Sequence, residues 1–153
     1  MKRMRAAVLG EPGEPPSHDE HPAPGATAGR TVVRMTAAPI VPLDLLCASG
    51  TSYFGRPATP YVPGTQGVGV VEQSTSWPEG TRVFLVTTAG MAPGDGSLAE
   101  RCAVPDEAVV PLPDGVADHD AAALGMSAVA AWMALTDRAQ LAPGERVVVL
   151  GVR

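Results

Sequence analysis

The chain has 153 residues, 45% of them apolar, 18% charged and 4% aromatic, with 11 basic against 16 acidic side chains and a formal net charge of −5. That length holds one domain with a real core, or one domain and part of a second. An acidic chain without a basic cluster excludes nucleic acid as the expected partner, and Cys47 and Cys102, far apart and outside any CxxC, read as buried free thiols.

Residues 4–9 form a short strand candidate, and the apolar run inside it is too short for the core of a signal peptide. Residues 11–29 are rich in Pro and Gly and barely periodic, which predicts a long loop with at most a frayed strand. His18 and His21 have the H-x-x-H spacing of metal ligands, but on a loop no helix turns both to one face, so a solvated loop is expected. Residues 31–38 alternate, with Val33, Met35 and Ala37 on one face and Arg34 and Thr36 on the other, and predict a strand. A short helix should start at Pro42 and close at Gly50: proline suits a first turn, Asp44 suits the positive end of the dipole, and Leu43, Leu46 and Cys47 share a face.

Residues 67–73 and 82–88 are two more strands, split by the turn SWPEG, and residues 97–104 and 109–112 are shorter ones. Many short strands at close spacing, in a chain with 17 glycines and 16 prolines, predict a small barrel. The pattern changes at Asp118. Residues 118–138 predict one long helix with acids at its start, His119 on its surface and Arg138 at its end. It is apolar nearly all round, which predicts burial on most sides, yet its apolar stretch is too short to span a bilayer. A turn, LAPGE, then leads to a strand at 146–150. A cytoplasmic location is expected.

Seven stretches, in order, resemble the medium-chain dehydrogenase/reductase superfamily, and within it the zinc-free quinone oxidoreductase branch: AAPIVPLDLLCASG, YVPGTQGVGVV, EGTRVF, DGSLAERCAVP, LPDGV, AAALGMSAVAAWMAL and LAPGERVVVLG. The resemblance implies a mainly β fold with α: a GroES-like β-barrel over residues 1–117, then over 118–153 a linking helix and the first strand of an incomplete Rossmann fold. It implies a half of an NADPH-dependent enzyme that passes hydride to a quinone or enone. In zinc-dependent members the metal sits on an early cysteine and a Gly-His-Glu triplet; the matching positions here are Val41 and the triplet Gly64, Thr65, Gln66, which predicts no metal site.

For the remaining chemistry the resemblance places Tyr53 at the substrate, where its phenol either bonds a quinone oxygen or is an ordinary loop tyrosine. It places Val41, Pro42 and Ser127 beside the nicotinamide, with Ser127 either bonding the cofactor or bonding back to the Ala123 carbonyl. Asp44 matches an acid of the same site, and helix stabilisation explains it equally well. Gly151 is the one residue assigned to the glycine-rich diphosphate turn, whose other glycines and helix are missing. An apolar strand at 146–150 with free edges, and a helix face without a partner, predict a homo-oligomer or a complementing chain joined through the C-terminal segment. The competing reading is a non-catalytic, truncated or split barrel module.

Overall fold

The computed structural model describes residues 2–151. Its largest element is a five-stranded antiparallel sheet. The strands are β3 (Arg30–Ala37), β4 (Gln66–Gln73), β5 (Arg82–Val86), β6 (Arg101–Pro105) and β7 (Val109–Pro111), in the order β6-β3-β4-β5-β7. A hairpin of β1 (Arg3–Val8) and β2 (Ser17–Pro22) stands beside it, tied on by the bridges Ala6–Ala99 and Leu9–Tyr61. Two helices complete the fold, α1 (Pro42–Ser49) and α2 (Asp118–Trp132). Val33, Val71, Val83, Leu85, Cys102, Val104 and Val109 form the main core on the inner face of the sheet. Among the described residues no helix is long and apolar enough to cross a membrane.

The central strand β4 is where backbone approach is closest. A Cβ at Gly69 would run into the Arg34 carbonyl and come within 2.6 Å of Val33 Cγ1. Glycine is therefore required by space, because β3 and β4 are hydrogen-bonded neighbours and the clash is with backbone.

Several expectations change. Residues 11–29 are not all loop: all six residues of β2 pair with β1. The sequence SHDEHP has little strand preference of its own, and the ladder offered by β1 imposes the conformation. The strand expected at 82–88 ends at Val86, and the one at 97–104 begins only at Arg101. The helix at Pro42 forms as expected and is closed by Gly50 in the left-handed conformation (φ 73°), but it buries Asp44 and Cys47 and leaves Leu46 exposed. The long helix is broken. α2 departs from helical geometry at Gly125 (φ 13°, ψ −131°) and passes into a π-helical turn, Met133–Arg138. Only Ala121 and Ala122 of α2 are buried, so the expected burial on most sides does not occur. Residues 146–150 form no strand, and Val148 and Leu150 are 80% and 87% exposed. A strand exists through its ladder, and no strand among the described residues lies beside this one.

The start of α2 is pinned to the sheet by Asp118. Its carboxylate accepts from Thr36 Oγ1 at 2.6 Å, on β3, and from Arg82 Nη2 at 2.5 Å, on β5. The Thr36 hydroxyl and then the Arg82 guanidinium hold this carboxyl below the usual aspartate range. A depressed pKa stabilises the fold above the unfolded-state value and ceases to do so as pH falls through the folded-state value.

Both anchors are open to test by urea unfolding. Gly69→Ala should destabilise the fold by about 2 kcal/mol. Asp118→Asn should cost about 1 kcal/mol at pH 7, and the gap between variant and wild type should close as pH drops below about 4.

Candidate active site

The site is built around the segment that carries β4 into the sheet. Gly64, at φ 112°, turns the chain so tightly that a Cβ there would clash with Ser97 Oγ. Its carbonyl accepts from the Ser97 N–H at 3.0 Å and from Thr87 Oγ1 at 2.8 Å. Ser97 Oγ in turn donates to the Gln66 carbonyl at 2.6 Å. Thr65 is fixed from the other side, its N–H donating to Asp44 Oδ1 at 2.8 Å. The second oxygen of Asp44 accepts the Val41 N–H, also at 2.8 Å, and closes the start of α1. One buried carboxylate thus joins the N-terminus of α1 to the entry of β4, which explains why an acid lies on the buried face of that helix.

Gln66 does the same for α2. Its side chain is buried. Nε2 donates to the Ala122 carbonyl at 3.2 Å, and Oε1 accepts the Met126 N–H at 3.0 Å. In an unbroken helix that carbonyl and that N–H, four residues apart, would bond to each other. The Gln66 amide is inserted between them and completes the ladder from outside. Room for it exists only because residue 125 is glycine, since a Cβ there would overlap the amide.

Two buried oxygens near this hub, Tyr61 Oη and Thr65 Oγ1, have no hydrogen-bond partner among the described residues. Burial, and then Cys47 and Asp44, push the Tyr61 phenol up to about 12, so it stays a neutral donor at physiological pH. Gly90 makes space beside it; a Cβ there would lie 2.6 Å from Cys47 Cβ and 2.9 Å from the phenol oxygen. Cys102, pushed up to about 12 by burial, is an inert thiol.

Of the residues singled out in the sequence, Val41 and Asp44 enter this hub through their mutual hydrogen bond, and Tyr53, Ser127 and Gly151 take no part in its bonds. Val41 caps α1 and is half-buried, and Pro42 is the exposed first residue of the helix. Tyr53 sits on the loop after α1, 85% exposed, with its ring 4.1 Å from that of Phe54. Ser127 is exposed two residues past the kink in α2. Gly151 is exposed at φ 77°. Sequence reasoning passed over Tyr61, and read Gln66 only as a triplet position unsuited to zinc. The usable signal was a lone glycine in an apolar helix together with an uncharged amide in a valine-rich strand.

His18 and His21 lie in β2, three residues apart, so their side chains leave opposite faces of the strand. His21 Nε2 is 2.8 Å from Asp95 Oδ2. His119 is 82% exposed at its side chain. Among the described residues no three His, Cys, Asp or Glu side chains come together as a metal-binding group. At the triplet itself, both amide atoms of Gln66 are committed to α2.

Residues 27–114 match the alcohol dehydrogenase GroES-like domain. The chain belongs to this family. The GroES-like domain and α2 together align over 99% of the chain with the quinone oxidoreductase of Mus musculus at 28% identity, covering 45% of that protein. A probable oxidoreductase from Mycobacterium abscessus superposes with a TM-score of 0.85 at 28% identity, over 94% of this chain and 46% of its own. The quinone oxidoreductase of Thermus thermophilus, whose structures include a complex with NADPH, superposes with a TM-score of 0.75 at 37% identity, over 93% of this chain and 43% of its own. The chain therefore spans a little under half the length of the proteins it matches. The medium-chain dehydrogenase/reductase assignment holds, and the GroES-like fold with it.

Gln66→Leu should destabilise the domain by about 2–3 kcal/mol, because the Ala122 carbonyl and Met126 N–H lose their partner while it stays out of water. Gln66→Glu separates the two bonds. Ionised, it accepts from Met126 but cannot donate to Ala122; protonated, it does both. Its folded-state pKa is therefore raised, and its deficit in urea unfolding should shrink as pH falls from neutrality toward the unfolded-state value of about 4.3 and level off below it.

Proposed function

We propose that the GroES-like domain, residues 1–117, is the substrate side of an NADPH-dependent quinone or enone reductase that works without zinc, and that the linking helix from residue 118 begins its cofactor-binding part. The observation that carries this reading is the alignment of nearly the whole chain with quinone oxidoreductases, combined with a triplet whose side chains are poor zinc ligands, that of Gln66 being bonded to α2. Thr65 and Gln66 offer a hydroxyl and a neutral amide, neither of which is a usual zinc ligand.

The fit to NADPH is one-sided. Val41 offers an apolar wall, Pro42 an exposed ring and Ser127 an exposed hydroxyl, which suit the nicotinamide end. Residues 146–151 form no strand leading into a helix start, and Gly151 is held by neither. No row of backbone N–H groups there cradles a diphosphate. The described residues therefore do not fit the whole cofactor, and its diphosphate must be held by a part of the protein outside them.

What this chain contributes is acceptor chemistry. Reduction of a quinone or conjugated carbonyl builds negative charge on an oxygen, and a donor placed there lowers the barrier. Tyr53 is exposed, and its phenol is free to point at such an oxygen.

Two measurements test the reading. The chain alone should leave NADPH fluorescence unchanged on titration. Grafted in place of the matching half of the Thermus thermophilus quinone oxidoreductase, it should support NADPH consumption with a benzoquinone, and Tyr53→Phe in that graft should lower kcat/KM roughly tenfold, the worth of one hydrogen bond. A folded, NADPH-binding graft without quinone activity overturns the substrate class, and full activity of Tyr53→Phe removes the tyrosine from the site.

A further inference from the structure

The loop after α1 and the loop after β5 meet at a small open cleft of about 220 Å³, lined by Phe54, Arg56, Pro57 and Ala58 from one and by residues 90–93 from the other. That volume is below the ~300 Å³ at which drug-sized sites begin, so its ligand is small. Arg56 is the one charged residue in the lining. The chain carries a net charge of −5, yet it has no acidic residue between Asp44 and Glu72 or between Glu79 and Asp95, the stretches that supply both walls. Asp95 itself is engaged, 2.8 Å from His21 Nε2 and accepting the Val62 N–H at 2.9 Å. Among the described residues ion pairs form at Arg3, Arg82, Arg101, Arg138 and two histidines, and none includes Arg56.

We propose that Arg56 receives a carboxylate, and that the acceptor of this site is therefore anionic: a small quinone or enone bearing a carboxylate, its ring laid against Phe54. The proposal rests on the reductase reading above and names the substrate class within it. A guanidinium presents its N–H donors in a planar fork that matches the two oxygens of a carboxylate, and such charge-assisted bonds are about twice as strong as neutral ones. The stem of Arg56 is supported, its γ-carbon lying 3.5 Å from where a Cβ on Gly50 would stand, at the closing turn of α1. The ring of Phe54 is 4.1 Å from that of Tyr53, so the cleft adjoins the phenol assigned to the acceptor oxygen. Tyr53 then serves the oxygen that is reduced, and Arg56 the charge that selects the molecule.

Two other arginine-lined clefts differ in the feature that matters. Glu100 shares the cleft of Arg5, and Glu72 and Glu79 share one with Arg30. An acid beside the cation lowers the local potential that would draw an anion in. At Arg56 the rest of the lining is apolar or backbone, which weakens the competition from water for the same charge.

Titration of the whole chain with cinnamate and with its uncharged amide, cinnamamide, followed by NMR, tests this. Cinnamate should shift the amide signals of Gly90, Met91 and Ala92 and the Nε–H of Arg56, and should bind roughly tenfold tighter than cinnamamide, the worth of one charge-assisted bond. Arg56→Gln should bring cinnamate down to the affinity of the amide and leave the amide's own affinity unchanged, with circular dichroism intact because the side chain is exposed. Arg56→Lys keeps the charge and loses the fork, and should fall between the two. Equal affinities overturn the proposal, as does a preference for cinnamate that survives Arg56→Gln, or the absence of a saturable shift at these residues up to about 10 mM, beyond the range of weak specific binding. The benzoquinone graft reports on the reductase reading separately, because benzoquinone is uncharged. An active graft without selectivity for cinnamate removes the anionic acceptor alone, and an inactive graft with Arg56-dependent cinnamate binding removes the reaction and keeps the anion site.

Discussion

The architecture depends on one side chain standing in for a piece of backbone. Gln66 leaves the first residue of β4 and enters the hydrogen-bond ladder of α2, donating to Ala122 and accepting from Met126. An uncharged amide does both at neutral pH, whereas a carboxylate has no proton to donate, a lysine no oxygen to accept, and a leucine would strand two backbone groups away from water. The kink at Gly125 follows from this, since the amide needs the space that a Cβ would fill. A strand and a helix separated by more than fifty residues in sequence are thereby locked in one relative orientation by two bonds.

Asp44 repeats the arrangement at the other helix, joining Val41 and Thr65. Asp118 does so a third time, joining α2 to Thr36 and Arg82. The largest apolar cluster is in the sheet, around Val33, Val71, Val83 and Leu85, and a smaller one packs Ala121 and Ala122 of α2 on Val68 with Ala37, Phe84, Leu112 and Val116 around them. Ala121 and Ala122 are the residues of α2 buried by that cluster.

The same triplet that carries metal ligands in zinc-dependent members of the superfamily carries, in this chain, a network of structural bonds. The backbone geometry is preserved by Gly64, whose φ of 112° and crowding by Ser97 leave no alternative residue. Beyond it, the Gln66 side chain is bonded to α2. With the triplet so engaged, polarisation of a substrate carbonyl in the proposed reaction falls to neutral donors. Tyr53 is exposed on the loop after α1, and Tyr61 is buried, neutral and without a partner among the described residues.

Much of the fold was legible in local pattern. The alternation in residues 31–38, the Pro42-to-Gly50 helix and the strand runs after Gly67 and Arg82 all rest on periodicity and on turn residues, which act over a few positions. What failed was whatever needed a distant partner. SHDEHP has no reason to be a strand until β1 offers a ladder, and RVVVL has every local reason to be one yet forms none without a neighbour. Asp44 read as a dipole residue, and only the approach of Thr65 made it a buried bridge. The sequence by itself determined the family, the barrel strands and the absence of zinc-ligating side chains at the triplet, because these reside in residue identity and short spacing. Tertiary structure alone decided that Gln66 would break α2, because a hydrogen bond across the fold is settled by which groups three-dimensional packing brings within about 3 Å of one another.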